Sequence, residues 1–148
     1  MLNLNRVLII GGGVAAMRCA LELRSQGYDG RICMVSAEAT PPYDRTLVSK
    51  ELLSRDRVDD ARLLLQSSEA YEDAAIDLRL GARAIALDVR ARRVDLADGS
   101  QLSYDGLVLA VGGEPVRPPR LTVPGVVTLR ELGDARRLAH MLDAGGES

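Results

Sequence analysis

The feature that most constrains this chain is an aliphatic run leading straight into glycines: Arg6-Val7-Leu8-Ile9-Ile10-Gly11-Gly12-Gly13-Val14-Ala15-Ala16. A run without apolar–polar alternation suits a parallel strand covered on both faces. Three glycines then permit a tight turn and close approach of a phosphate to the backbone. Behind them Val14, Ala15, Ala16, Met17, Ala20, Leu21 and Leu23 recur at helical spacing, and Gly27 marks a stop. The free N–H groups of that helix's first turn would face the glycine turn and form an anion site. Gly11, Gly13 and Ala16 satisfy the dinucleotide fingerprint in its G-x-G-x-x-A form. A second strand, Arg31 to Ser36, closes a βαβ unit, and Glu38 follows about where an acidic residue meets a ribose hydroxyl.

With 148 residues the chain is of single-domain length. The reading is one domain over 1–143 with a short tail or linker at 144–148. The core must be aliphatic, because Trp and Phe are absent and only four Tyr occur. A net charge of −2 favours neither nucleic acid nor an anionic membrane. No apolar run reaches the length of a membrane span. The first apolar stretch is the first strand, so no leader is expected and a cytoplasmic location is. Cys19 and Cys33 do not form a C-x-x-C pair, and no metal-ligand spacing occurs. Of 19 basic residues, Lys50 is the one lysine, so a single compact ammonium stands among guanidinium groups.

Further along, Leu47 to Leu53 reads as a short helix carrying Lys50, and Ser54 to Arg62 as a solvated loop. Leu63-Leu64-Leu65 reads as a short strand, and Ser67 opens a capped helix extending to about Ala74. From Ile76 the pattern changes to short strands: Ile76–Leu80, Ala84–Asp88, Arg92–Ala97 and Gln101–Tyr104. Asp98-Gly99 supplies a hairpin turn among them. These strands read as a β-meander used as a crossover, after which Leu107 to Val111 returns as a buried parallel strand ending in Gly112-Gly113. A proline-rich loop and a closing helix, Glu131 to Asp143, complete the chain. The fold class expected is α/β: an incomplete, Rossmann-like, three-layer dinucleotide-binding domain with a parallel sheet and a meander crossover.

Two stretches carry a family resemblance. Val35-Ser36-Ala37-Glu38-Ala39-Thr40-Pro41-Pro42-Tyr43-Asp44-Arg45-Thr46-Leu47-Val48-Ser49-Lys50 resembles a motif of FAD-dependent ferredoxin and rubredoxin reductases, in the pyridine nucleotide–disulfide oxidoreductase superfamily. Tyr104-Asp105-Gly106-Leu107-Val108-Leu109-Ala110-Val111-Gly112 is similar to that family's second motif. The resemblance implies FAD as cofactor. It places Gly11, Gly13 and Ala15 at the pyrophosphate together with Ala16 of the fingerprint, Glu38 at the adenosine ribose, and Arg45 against the AMP end. It places Lys50 near the redox ring, Ala84 at the adenine, Ala110 and Gly112 at the second loop, and Arg130 as a further contact. Thr46, Val48 and Val111 depart from the family's Pro, Leu and Thr.

The resemblance covers only the amino-terminal part of a family member, without a nicotinamide domain. The function it implies is the FAD-binding portion of an NAD(P)H-dependent oxidoreductase passing electrons to an iron–sulfur carrier such as ferredoxin or rubredoxin. The cofactor carries the chemistry in such enzymes, so no catalytic acid, base or nucleophile is expected; His140, the one histidine, allows no Ser-His-Asp or Cys-His arrangement, and the chain alone is expected to be inactive. Three alternatives stay open: an NAD(P)-binding domain, the flavin module of a nitrite-reductase-type enzyme, or a split chain docking a partner chain that supplies the nicotinamide domain.

Overall fold

In the computed structural model, which describes residues 4–50 and 60–145, β1 (Arg6–Ile10) is the axis of a four-stranded sheet. The sheet order is β3-β2-β1-β7, with β2 Arg31–Val35, β3 Ile76–Arg79 and β7 Gly106–Leu109. Every pairing in it is parallel, and Ile9 sits opposite Met34 on one side and Val108 on the other. Side chains alternate across the sheet. Val7, Ile9, Ile32, Met34 and Ile76 therefore pack against α1 (Val14–Ser25) and α2 (Ser68–Asp73), through Ala16, Met17, Ala20 and Tyr71. Leu8, Ile10 and Val35 face the other way, onto a three-stranded antiparallel meander. Its strands are β4 (Ala84–Asp88), β5 (Arg93–Leu96) and β6 (Gln101–Ser103), which contribute Val94 and Leu96 to that second core. The expected three-layer α/β arrangement is present.

One element differs from expectation. Ile76–Arg79 joins the parallel sheet as the partner of β2 instead of opening the meander. Its half-buried alternation fits either sheet equally. What decides is the helix before it: α2 ends at Asp73, and Ala75 takes a left-handed φ of 51° that turns the chain into the sheet edge. The hairpin at Asp98-Gly99 is as expected, with Gly99 at φ 85° and its N–H donating to Leu96.

These elements form one unit, Met1–Tyr43 with Leu64–Gly112; a second comprises Asp44–Leu63 with Gly113–Ser148. Leu47, where the expected helix begins, instead closes a 3₁₀ turn, Arg45–Leu47, in the second unit; Val48–Lys50 follow as a turn, and Glu51–Leu53 of the expected helix lie outside the described residues. Of the expected loop Ser54–Arg62, residues 54–59 are likewise outside them, and Asp60–Leu63 is a 3₁₀ turn. The expected strand at Leu63–Leu65 reduces to a single bridge between Leu64 and Tyr43, within the first unit. The closing helix, α3, spans Leu132–Gly145, two residues beyond the expected end, with Leu132 and Ala135 buried. Among the described residues no helix is long and apolar enough to cross a membrane.

Candidate functional site

The glycine turn sits at the carboxyl end of β1, and its two ends meet different constraints. Gly11 adopts φ +140°, and a Cβ there would stand 2.1 Å from the Ala110 carbonyl oxygen. Its N–H donates to Val35, while the Ala110 N–H donates to Ile10, so the turn is clamped between β2 and the end of β7. Gly12 approaches Ser36 so closely that a Cβ would fall 2.0 Å from the Ser36 hydroxyl. Gly13 is different: its backbone is extended (φ −99°, ψ −176°), and a Cβ would meet nothing within 4 Å. Close packing fixes the first two glycines, and open space lies before the third.

α1 begins at this open position. Gly13 is its N-cap, no side chain caps it, and no acidic residue lies in its first turn. The orphan N–H groups and positive dipole end of the helix therefore lack a built-in counter-charge. Ala15 is exposed and Ala16 wholly buried. The small side chain of Ala16 allows the close helix–sheet approach that the fingerprint's last position requires.

Glu38 is held next to this turn by contacts that sequence reasoning missed. Ser36 is buried; its hydroxyl accepts from the Glu38 N–H (3.2 Å) while filling the space beside Gly12. The Tyr43 hydroxyl donates to the Glu38 carboxylate at 2.6 Å, and the Gly81 N–H donates to the Glu38 carbonyl. Nothing in the spacing marks Ser36. Tyr43 stands in the Pro41-Pro42-Tyr43 motif but carried no role. Ala84 follows three residues after Gly81, in β4, half-buried against the meander core. Gly112 takes φ +70° at an exposed position just past β7.

Three of the residues singled out from sequence belong to the second unit. There Asp44 accepts from the N–H and hydroxyl of Thr46 (2.9 and 2.7 Å), fixing the 3₁₀ turn. Those two bonds, with a smaller effect of the Lys50 charge, hold the Asp44 carboxyl below its ordinary range. Lys50 is exposed, with its backbone N–H on Leu47. Arg45 donates to the Arg130 carbonyl at 3.4 Å, so these two come together. Arg130 leads into α3, whose start is capped by Asp134, an acceptor for the N–H groups of Arg130 and Glu131.

The two cysteines are free, half-buried, and on opposite faces of the sheet: Cys19 against the helix-side core and Cys33 against the meander-side core. Burial, reinforced by the Asp77 charge, pushes the Cys33 thiol up to about 12. They cannot form a dithiol redox pair in this chain.

Residues 5–144 match the family model described as pyridine nucleotide-disulphide oxidoreductase. The chain is 38% identical over 136 residues to the benzene 1,2-dioxygenase system ferredoxin–NAD(+) reductase subunit of Pseudomonas putida, covering 90% of this chain and 33% of that one. Among solved structures, a ferredoxin reductase from Rhodopseudomonas palustris superimposes with a TM-score of 0.82 at 32% identity, over 95% of this chain and 35% of that one. The covalent putidaredoxin reductase–putidaredoxin complex gives a TM-score of 0.81 at 30% identity, over 93% and 34%. The chain spans about a third of the length of these relatives.

Proposed function

The chain belongs to the pyridine nucleotide-disulphide oxidoreductase family, and we propose that it is the FAD-binding part of an NAD(P)H-dependent reductase serving an iron–sulfur electron carrier. The observation that carries this reading is the glycine turn: tightly packed at Gly11 and Gly12, open at Gly13, and followed by an uncapped helix N-terminus. That cradle suits a diphosphate, because backbone N–H groups can reach its oxygens where a side chain would block them. The relatives named as ferredoxin–NAD(+) reductase and ferredoxin reductase support the electron-transfer class.

FAD, when bound, supplies the exchange between two-electron hydride transfer and single-electron delivery. The residues of this chain bind and orient it. Gly11, Gly13, Ala15 and Ala16 border the diphosphate, and Glu38 accepts from the adenosine ribose. The bond from the Tyr43 hydroxyl fixes the orientation of that carboxylate. By family resemblance Arg45, Lys50, Ala84, Ala110, Gly112 and Arg130 are further contacts, with Lys50 stabilising negative charge at the redox end. None of these residues needs to move a proton.

Titration of FAD into the purified chain, followed by flavin absorbance and fluorescence, tests the reading. Saturable binding with a red-shifted, structured flavin band is expected. Binding of NADH in preference to FAD would reassign the chain as a nicotinamide-binding domain.

A further inference from the structure

A second ligand site lies on the meander-side face of the sheet. The alternation that sends Leu8 and Ile10 toward the meander also sends Arg6, Arg31, Cys33, Asp77 and Arg79 to that face. The register sets Arg6 beside Arg31, Cys33 beside Asp77, and Val35 beside Arg79. The meander's Leu102 packs on this face with Leu8 and Cys33. Toward β3 a cavity of about 430 Å³ remains, walled on one side by Gln101–Ser103 of β6. That volume falls in the range of small-molecule pockets.

The charged groups of the cavity are Arg6, Arg24, Arg31, Arg79, Asp29 and Asp77, four guanidinium groups against two carboxylates. Three of the four are engaged. Arg24 donates to four carbonyls, Arg6 donates to the Ser103 hydroxyl at 2.6 Å, and Arg79 pairs with Asp77 at 3.1 Å. Among the described residues Arg31 has no side-chain hydrogen bond or ion pair. The floor is apolar and uncharged, made of Leu8 and the un-ionised Cys33 thiol.

From this arrangement we propose that the cavity binds a small organic oxyanion, a carboxylate or phosphate on a compact apolar body. Arg31, whose guanidinium is not engaged within the described residues, is its anchor. A planar guanidinium fork matches two coplanar oxygens of either head group. Leu102, half-buried in the cavity wall, receives the apolar body, which distinguishes such a ligand from free inorganic phosphate. The site shares no residue with the glycine turn and does not rest on the function proposed above.

Amide chemical-shift mapping of the full chain tests it, with phenyl phosphate, benzoate, inorganic phosphate and uncharged benzyl alcohol as probes. Phenyl phosphate or benzoate is expected to shift the amides of Arg31–Cys33, Asp77–Arg79 and Gln101–Ser103 saturably, leaving Gly11–Ala16 unmoved. The tighter of the two identifies the head group. Arg31→Ala, at an exposed side chain without a partner among the described residues, should weaken binding about tenfold without changing the rest of the spectrum. Equal shifts with benzyl alcohol would overturn the proposal. So would tighter binding of inorganic phosphate than of either organic anion, shifts confined to Gly11–Ala16, or an unchanged affinity in Arg31→Ala.

Discussion

Single residues divide into those whose neighbours in sequence reveal them and those fixed by distant backbone. Gly11 is of both kinds: the glycine run reveals it, and the distant Ala110 carbonyl fixes it. With Ala110 behind it and φ at +140°, Gly11→Ala should cost about 3 kcal/mol or more of stability, read from the urea midpoint. Arg24 is of the second kind. Its guanidinium donates to the carbonyls of Tyr28, Gly30, Ala74 and Ala75, each at 2.7 Å, joining the end of α1 to the turn before β3. Bonds across fifty residues leave no mark in local composition, so sequence reasoning passed over it. Arg24→Lys keeps the charge but loses the fork and should destabilise by about 2–4 kcal/mol. Tyr71 carries the opposite sign: its hydroxyl is buried without a hydrogen-bond partner among the described residues. Tyr71→Phe removes an unsatisfied polar atom and should raise stability by about 1 kcal/mol in the same urea assay.

At the scale of elements, the second family-like motif, Tyr104-Asp105-Gly106, acquires a structural explanation. Tyr104 is buried in the meander-side core, and Asp105 accepts from the N–H groups of Asn5 and Arg6 at 3.2 and 2.9 Å. The Asp105 N–H in turn donates to the Arg6 carbonyl, which sets the register of β7 on β1. Asp105→Ala should lower stability by about 1–2 kcal/mol, measured by thermal unfolding, because two strand-end donors lose their acceptor. The β1–turn–α1 unit was legible because an aliphatic run, three glycines and a helical repeat act within twenty residues. The placement of β3 was not, since Ile-Asp-Leu-Arg alternates equally well in a meander or at a sheet edge. The 3₁₀ turn that takes in Leu47, the first residue of the expected helix, was not legible, because its cause is the Asp44 side chain bonding two residues ahead.

Across the whole molecule, the two sides of the sheet share one alkaline weakness. Burial raises both the Cys33 thiol and the Tyr71 phenol to about 12, one on each face. Above pH 9 the unfolded chain releases the thiol proton, and above pH 10 the phenol proton, while the folded chain keeps both. The folded state then binds more protons, so stability falls with rising pH from about 9 to about 12. Urea midpoints measured across that window should decline accordingly, and Tyr71→Phe should flatten the part above pH 10. The α/β class and the glycine cradle were legible in sequence. Ser36 and Tyr43, which orient Glu38, were not given that role because it depends on how the loop after β2 folds back. The most direct test of the cradle is FAD affinity and melting temperature measured together for Gly13→Asp. An aspartate at this extended, uncrowded N-cap supplies the missing cap and counter-charge. An equal or higher melting temperature with FAD affinity reduced about a hundredfold or more is the predicted result. Wild-type FAD affinity in that variant would contradict the account.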